Sequence, residues 1–186
     1  HPCNKYIING DEFIRDFEKM YEEISDPWDQ EKGKSLEIIK ILNMIKVYKN
    51  PKTILDIGCA TGYTAKEVLK LYTKSKYTGI DISETAIKKA KQTIINTNVK
   101  YKVDNIIIYN KSFFNKYDLI LCNKTIYYCA PEIDVVINNI MSYLKINGIF
   151  ALIYNETKDA FSNKWLTPEI LLKKLKKLTL IEHCKI

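Results

Sequence analysis

The chain has 186 residues, 46% of them hydrophobic, and a formal net charge of +7 at pH 7. That length suffices for one domain with a substantial core and is short for two, so we expect a single domain over residues 1–186. No apolar run is long enough to cross a bilayer and no charged-then-apolar leader opens the sequence, so we expect a cytoplasmic protein without membrane association.

The five cysteines are scattered along the chain and form no C-x-x-C pair. An odd, dispersed set of this kind does not predict a disulfide framework or a zinc site. We therefore expect reduced thiols and no bound metal.

The positive charge raises the question of nucleic acid or another anionic partner. Lysines cluster at 87–91 and 172–178, where the apolar residues have core spacing and the lysines would face water. Attraction of acidic partners is the alternative interpretation. Arg15 is the only arginine, whereas proteins that bind phosphate backbones more often use arginine, so nucleic acid is not the expected partner.

The first 50 residues are predicted to be helical. Apolar spacing predicts a helix over 11–24, capped by Asp11, and a second helix over about 35–48. The Ser-Asp-Pro-Trp-Asp run at 25–29 separates them, because proline interrupts a helix. We interpret residues 1–50 as an N-terminal helical lid or flank, and residues 51–186 as the core.

From residue 53 the chain alternates between short strands and helices. A tight turn is predicted at 145–148, and Ser83 and Thr167 are predicted helix N-caps. This alternation predicts an α/β fold with a Rossmann-like, doubly wound, mostly parallel sheet flanked by helices. The predicted strands are 53–57, 76–81, 98–103, 117–122, 149–154 and 179–185, and the predicted helices are 63–72, 83–96, 131–144 and 168–177.

Residues 53–63 (TILDIGCATGY) are the most informative segment. A strand that contains Asp56 runs into a turn with Gly58 and Gly62, and glycine tolerates positive φ and carries no Cβ to block a ligand. Asp81 closes the next strand about 20 residues further on, where a nucleotide-type βαβ unit places a ribose-binding acid. The segment and the acid together predict a site for an adenosine-containing cofactor.

The turn departs from the dinucleotide pattern G-x-G-x-x-G, because Ala60 stands where that pattern has a glycine. Its spacing resembles motif I of the class I S-adenosylmethionine-dependent methyltransferases. Asp81 fits the ribose ligand of that superfamily, and Asp104 fits the acid that often meets the adenine amino group. Residues 144–150 resemble the turn into its fifth strand. Four such features in this order make the resemblance to the superfamily specific.

Within the superfamily, the chain resembles the nodulation protein S-like group over about residues 17–184. The name-giving members N-methylate the amino sugar of a chitooligosaccharide, so the resemblance implies a saccharide-like or similar small polar acceptor. It also implies S-adenosylmethionine as cofactor, S-adenosylhomocysteine as product and no metal. It leaves open whether the closing strand of that fold lies beyond this sequence. The resemblance rests on residues 25–28 (Ser-Asp-Pro-Trp), 55–62, 117–120 (Tyr-Asp-Leu-Ile), 126–128 (Ile-Tyr-Tyr) and 164–165 (Lys-Trp).

The resemblance implies which residues hold the cofactor. Asp56 would lie near its ammonium group, Asp81 would accept from the ribose hydroxyls, and Ile82 would cover the adenine. Simpler roles stay open, with the acids as helix caps or turn formers and the cysteines as packing residues. The full set is Trp28, Asp56, Gly58, Cys59, Ala60, Gly62, Asp81, Ile82, Asp104, Asn105 and Cys122.

The acceptor is expected near the end of the fourth core strand. Lys124, Tyr127, Tyr128 and Trp165 are the candidate substrate contacts, and Asn123, Lys124 and Tyr127 are candidate catalytic residues. Core packing is the alternative for the aromatic side chains. The related group tends to carry an acid just before its Ile-Tyr-Tyr-like element, whereas this chain has Lys124 there. A lysine would repel an ammonium and favour an anionic acceptor such as a phosphate or carboxylate.

The leading function is therefore methyl transfer from S-adenosylmethionine to an oxygen or nitrogen of a small polar acceptor. An RNA or protein methyltransferase is a second hypothesis, although no appended recognition domain is visible. A non-catalytic cofactor-binding partner subunit is a third. A nicotinamide oxidoreductase is disfavoured by Ala60 at the middle glycine position. The sequence does not determine the oligomeric state.

Overall fold

The computed structural model describes residues 3–10, 12–30, 36–154 and 166–182. A small N-terminal hairpin and short helices precede a central sheet with helices on both faces. Short 3₁₀ helices lie at Lys111–Phe113, Ile126–Glu132 and Leu175–Lys177. In chain order the other elements are α1 (Asn4–Ile7), β1 (Ile8–Asn9), β2 (Glu12–Phe13), α2 (Phe17–Glu23), α3 (Leu36–Tyr48), β3 (Thr53–Ile57), α4 (Tyr63–Leu71), β4 (Lys76–Asp81), α5 (Glu84–Thr93), β5 (Val99–Val103), β6 (Tyr117–Asn123), α6 (Ile133–Tyr143), β7 (Leu144–Ile153) and α7 (Pro168–Lys174).

The central sheet has the strand order β5-β4-β3-β6-β7, and every neighbouring pair is parallel. Asp56 on β3 lies between Gly79 of β4 and Leu121 of β6. The chain leaves β3 towards β4 and later crosses to β6 on the other side, so the strand order reverses beside β3. Open α/β sheets bind ligands beyond the carboxyl ends of the strands at such a reversal. The predicted Rossmann-like, doubly wound sheet is confirmed.

Strand β3 is buried on both faces, which explains its nearly continuous apolar sequence. On one face Leu55 and Ile57 pack in a cluster with Val136 of α6. On the other face Ile54 packs in a cluster with Val68 of α4. Burying each large aliphatic side chain contributes about 1.5–3 kcal/mol to folding, so these two clusters fix the sheet and the position of its carboxyl edge.

Both predicted helix caps are confirmed. The Ser83 hydroxyl accepts from the backbone N–H of Ala86 at 3.0 Å, and that of Thr167 accepts from Ile170 at 3.3 Å. Helix α5 is shorter than predicted, because the backbone turns extended at Ile94.

The prediction of a tight turn at 145–148 is wrong, because these residues form part of strand β7. Tyr117 of β6 pairs with Leu144 and Leu119 pairs with Ile149, so the longer stretch of β7 bulges against a shorter one of β6. Asn147 takes a φ of +59° within that stretch. The predicted turn signal therefore marks an irregularity in a strand that begins earlier than expected.

The strand predicted at 179–185 is wrong for residues 179–182, which have no regular structure. Residues 183–185 lie outside the described part of the chain. Leu180 is 69% exposed and Ile181 is 53% exposed. Apolar residues form a strand only where a neighbouring strand pairs with them, and none of the described strands pairs with this segment.

The N-terminal region departs most from prediction. Helix α2 begins at Phe17, and its cap is Asp16, whose Oδ1 accepts from Lys19 N at 3.3 Å. The predicted cap, Asp11, lies outside the described residues. Glu12–Phe13 pairs with β1 instead of joining the helix. Because Glu12 and Phe13 pair in the hairpin, the helix begins later and Asp16 becomes its cap. Helix α3 matches the predicted second helix.

Helix α2 is fastened to the core through Glu18 and Lys89. The Glu18 carboxylate accepts from the hydroxyls of Ser83 and Thr85, each at 2.6 Å. Burial raises the pKa of Glu18, but these hydrogen bonds outweigh it and lower the pKa overall. A carboxylate at the first turn of α5 also meets the positive end of the helix dipole. The Lys89 ammonium donates to the carbonyl of Tyr21 at 2.6 Å.

We predict that Glu18→Gln loosens this docking by about 1–2 kcal/mol, because it weakens charge-assisted hydrogen bonds. Amide hydrogen exchange in residues 3–30 at pH 7 should be faster than in the wild type. A lowered pKa means that the docking is complete above the ordinary pKa of glutamate and is lost as the pH falls through the lowered value. The matched control is Glu22→Gln, an exposed change on the same helix. Equal exchange in the two variants would contradict the role of Glu18.

Candidate functional site

The bend, residues 58–62, links β3 to α4 and has three left-handed positions. The φ angle is +70° at Gly58, +49° at Ala60 and +88° at Gly62. Glycine adopts such angles freely, whereas alanine does so at a cost of about 1–2 kcal/mol. The backbone N–H of Gly58 donates to the carbonyl of Ile80 at 2.9 Å. The bend is thus held against the end of β4 in a conformation that its sequence alone would not favour throughout.

Neighbouring side chains occupy the space beside both glycines of the bend. A Cβ on Gly58 would lie 2.3 Å from Oγ1 of Thr125. A Cβ on Gly62 would lie 2.6 Å from the Tyr101 hydroxyl. Glycine is therefore required here by packing as well as by φ, and the open approach to a ligand that the sequence predicts stays a prediction.

Asp81 fixes the bend from the end of β4. Its Oδ2 accepts from the backbone N–H of Ala60 at 2.9 Å, and its Oδ1 accepts from that of Ser83 at 3.0 Å. Burial raises the pKa of Asp81, and these backbone hydrogen bonds oppose the rise. Because Ser83 is the cap of α5, Asp81 is not a helix cap. Each carboxylate oxygen can accept more than one hydrogen bond, so acceptor capacity remains for a hydroxyl.

Asp56 is buried, with 1% of its surface exposed. The Tyr77 hydroxyl donates to its Oδ2 at 2.5 Å, while Oδ1 has no hydrogen-bond partner among the described residues. Burial raises the pKa of Asp56 to about 7; the Tyr77 hydrogen bond and the Thr64 hydroxyl lower it, and the Asp81 charge raises it. Helix α4 is capped by Gly62, so Asp56 does not cap a helix either. Its unpartnered oxygen fits a cationic or hydrogen-donating ligand at the bend.

The residues predicted near the adenine lie beyond β4 and β5. The Ile82 side chain is 48% exposed, as expected of an apolar surface that a ring could cover. The Asp104 Oδ2 accepts from the Asn110 amide at 2.6 Å, and the Asn105 Oδ1 accepts from the backbone N–H two residues on at 3.0 Å. Asp104 and Asn105 thus shape their own loop, which is the turn-forming role considered for Asp104.

The predicted cofactor cysteines are packed into the core. Cys59 and Cys122 are each 1% exposed, and burial raises the pKa of both thiols well above its ordinary value. Cys59 lies against Gly79, where a Cβ would come within 2.8 Å of its sulfur. Both cysteines are therefore packing residues, and neither side chain is a reactive thiolate.

The end of β6 carries Asn123 and Lys124. The Asn123 Oδ1 is buried without a partner among the described residues. Lys124 takes a φ of +57° and its ammonium lies 3.0 Å from Oε1 of Glu37, with both side chains about one third exposed. Glu37 on α3 thus balances the charge of Lys124, and the role of Lys124 in selecting the acceptor stays a prediction.

The aromatic wall, defined as Phe17, Trp28, Tyr127, Tyr128 and Tyr154, lies beside the bend. The Tyr127 and Tyr128 rings are 4.6 Å apart, and Tyr128 contacts Phe17 at 5.2 Å and Trp28 at 6.0 Å between ring centroids. Tyr154 lies 5.8 Å from Tyr127. Phe17, Trp28 and Tyr128 also pack against the cluster that contains Ala60. Trp165 lies outside the described residues.

Burial raises the pKa of Tyr127 to about 12. The hydroxyl therefore keeps its proton near neutral pH and is a poor general base. Trp28 donates a hydrogen bond from its Nε1 to the Tyr21 hydroxyl at 2.8 Å. This contact anchors Trp28 within the aromatic wall, where its ring lies 6.0 Å from that of Tyr128.

Within residues 3–10, 12–30, 36–154 and 166–182, no group of three or more His, Cys, Asp or Glu side chains could hold a metal ion. No helix in those ranges is long and apolar enough to cross a membrane.

Sequence reasoning missed four residues that shape the site: Tyr77, Thr125, Glu18 and Glu37. Tyr77 lies near the start of a strand, and nothing in the neighbouring sequence indicates that its hydroxyl contacts Asp56. Thr125 follows two chemical candidates but was not assigned a role. Glu18 and Glu37 lie on helical faces that periodicity marks only as solvent-facing. A prediction of helix packing on the sheet is the signal that could have found them.

Comparison with known proteins places the chain in a family. A family model described as a methyltransferase domain matches residues 49–181. An uncharacterized protein of Rickettsia prowazekii is 33% identical over 106 residues, which are 55% of this chain and 42% of that protein. A malonyl-(acyl-carrier protein) O-methyltransferase of Ilyobacter polytropus is 30% identical over 129 residues, covering 66% of this chain and 46% of that enzyme. The chain thus spans less than half the length of these relatives.

Among solved structures, the N-methyltransferase NodS from Bradyrhizobium japonicum in complex with S-adenosyl-L-homocysteine superposes with a TM-score of 0.67. The sequences are 20% identical, and the match covers 86% of this chain and 84% of that one. At this identity the likeness establishes the fold, and membership of the nodulation protein S-like group stays a prediction. Since the family match covers well over half of the sequence, the chain belongs to the methyltransferase domain family of S-adenosylmethionine-dependent enzymes.

Proposed function

We propose that this protein transfers a methyl group from S-adenosylmethionine to a nitrogen of a small polar, saccharide-like acceptor. The observation that carries the proposal is the buried Asp81 carboxylate, which holds Ala60 of the bend at the point where the strand order reverses. The acceptor class rests on the aromatic wall and on the Lys124–Glu37 ion pair.

The bend would lie under the methionine and ribose portions of the cofactor. Asp81 would accept from the ribose hydroxyls, and the exposed Ile82 side chain would cover the adenine. The open oxygen of Asp56 would favour the ammonium group. Asp104 and Asn105 would meet the polar edge of the adenine. The cofactor supplies the reactive sulfonium, and the protein supplies position and exclusion of water.

The described residues favour an amine over a hydroxyl as the acceptor. An amine attacks through its own lone pair, whereas a hydroxyl has to lose a proton to become a good nucleophile. Both histidines of the chain, His1 and His183, lie outside the described residues. Tyr127 has a pKa of about 12, so it is an unsuitable base at neutral pH. Orientation and desolvation of the acceptor are the means of catalysis in this proposal.

The charges near the acceptor end also argue against an anionic acceptor. Lys124 is paired with Glu37, and the Arg15 guanidinium binds both carboxylate oxygens of Glu132 at 3.2 and 2.7 Å. A carboxylate or phosphate acceptor would need a cation that is not already neutralised. An amine needs no such cation in either protonation state, and the aromatic wall would attract the positive charge that develops on its nitrogen.

We further propose that residues 1–50 act as a lid or flank over the cofactor, within a single domain that spans the whole chain. The contacts of α2 support this role. Glu18 docks it on the start of α5 next to Asp81, and its neighbours Met20 and Tyr21 pack in the cluster that contains Ala60. A bound cofactor at the bend would then be shielded from water by this segment.

The function is tested by incubating the protein with isotope-labelled S-adenosylmethionine and a metabolite extract, followed by mass spectrometry of labelled products. We expect a labelled N-methyl product. Asp81→Asn should weaken S-adenosylhomocysteine binding by about 1–3 kcal/mol, the scale of a lost hydrogen bond to a charged group. Calorimetry gives this affinity, and Glu84→Gln, an exposed change in the adjacent helical turn, is the control. Unchanged affinity in a folded Asp81→Asn variant would contradict the ribose role.

The Lys124–Glu37 pair gives a second, matched test. Glu37→Gln leaves Lys124 with an uncompensated charge that should repel an amine acceptor in its protonated form, so we expect a higher KM for the amine. Lys124→Gln should leave that KM nearly unchanged. Both variants are compared on amine, hydroxyl and carboxylate acceptors at two salt concentrations. A loss of carboxylate methylation in Lys124→Gln, with the amine unaffected in both variants, would instead indicate an anionic acceptor.

A further inference from the structure

A buried cluster of three polar side chains, Asp56, Tyr77 and Tyr101, lies next to the bend. The Tyr77 hydroxyl donates to Asp56, and the Tyr77 and Tyr101 rings pack edge to face with centroids 6.0 Å apart. The Tyr101 hydroxyl in turn donates a long hydrogen bond of 3.4 Å to the carbonyl of Gly62. The cluster therefore contacts the Asp56 carboxylate through Tyr77 and the backbone of the bend through Tyr101.

The second oxygen of Asp56, Oδ1, is buried without a hydrogen-bond partner among the described residues. Native structures rarely leave a buried carboxylate oxygen unpaired, because the lost solvation is not recovered. Asp56 lies two residues before Gly58, at the carboxyl edge of β3 where the cofactor is expected. Its unpaired oxygen is thus a position that a cationic ligand would complete.

The groups that face Asp56 come from β4, α4, β5, β6 and the bend. They are the hydroxyls of Tyr77 on β4, Thr64 on α4 and Tyr101 on β5, the Asp81 carboxylate at the end of β4, and the buried thiols of Cys59 in the bend and Cys122 on β6. Burial keeps both thiols and Tyr77 protonated, because it raises their pKa values. Burial also brings the pKa of Asp56 to about 7 and raises that of Asp81. Of these two carboxylates, Asp56 is the one that accepts a hydrogen bond from the Tyr77 hydroxyl.

We propose that Tyr77 is a positioning residue that holds Asp56 for the cofactor, and that cofactor binding expels a proton from Asp56 to solvent. This inference rests on the proposed function. S-adenosylmethionine carries a sulfonium and an ammonium, and positive charge near the bend favours the ionised carboxylate. The O–H bond of Asp56 breaks, its electron pair stays on the carboxylate, and the proton passes to the buffer. Tyr77 keeps its own proton and its hydrogen bond to Oδ2.

The direction of the pH dependence follows from the raised pKa of Asp56. Below pH 7 the free protein holds Asp56 neutral, so binding has to remove a proton and the affinity falls as the pH decreases. A single linked proton makes binding about tenfold weaker at pH 6 than at pH 8. S-adenosylhomocysteine lacks the sulfonium charge and should release fewer protons than S-adenosylmethionine at the same pH.

The experiment is calorimetry of both ligands at pH 6 to 9 in buffers with different ionisation enthalpies, which counts released protons directly. The wild type should release protons on binding at pH 7. Tyr77→Phe removes the hydrogen bond that favours the ionised carboxylate, so the midpoint of the affinity profile should move upward. Its affinity should fall several-fold at pH 7 and stay close to that of the wild type at pH 9.

Tyr101→Phe is the matched control, since it removes one hydroxyl from the neighbouring ring but none that contacts Asp56. Its midpoint should equal that of the wild type. If Tyr77→Phe does not fold, Asp56→Asn should bind S-adenosylmethionine without releasing a proton and with the same affinity at pH 6 and pH 9. Equal weakening of Tyr77→Phe at every pH, or binding by the wild type without proton release, overturns the inference. Failure of the wild type to bind either ligand at pH 8 would instead overturn the proposed function.

Discussion

The hydrogen bond from the backbone of Ala60 to the carboxylate of Asp81 is the contact on which the candidate site depends. It is charge-assisted and buried, and such bonds are about twice as strong as those between neutral groups. It holds Ala60 in a left-handed conformation that alanine otherwise avoids, and so it sets the path of the whole bend. Because the same carboxylate also bonds Ser83, one side chain fixes both the bend and the first turn of α5.

The N-terminal segment and the acceptor end are organised around this fixed bend. Ala60 packs in the same cluster as Met20 and Tyr21 of α2, and Tyr128 of the aromatic wall packs against it. The two halves of the proposed site, for cofactor and for acceptor, therefore share one apolar contact surface. Packing of the N-terminal segment and of the acceptor side therefore depends on the same residue of the bend, Ala60.

The sheet could be predicted from the sequence because parallel strands covered on both faces need nearly continuous apolar runs, and the caps at Ser83 and Thr167 have strong local signals. The contacts of individual side chains could not. Lys124 and Glu37 are 87 positions apart, and Tyr77 reaches Asp56 only because β3 and β4 pair in one particular register. Residues 179–182 show the reverse case, because Leu180 and Ile181 form no strand and none of the described strands pairs with them.

The contact of Thr125 with Gly58 ties the loop after β6 to the bend. The Thr125 hydroxyl fills the space that a Cβ at position 58 would need, so neither position can accept a larger side chain unless the other moves. Divergence among related proteins should then be unequal along that loop. A change at Thr125 would disturb the bend itself, whereas Tyr127 contacts Tyr128 and Tyr154 of the aromatic wall and could change with less effect on the bend.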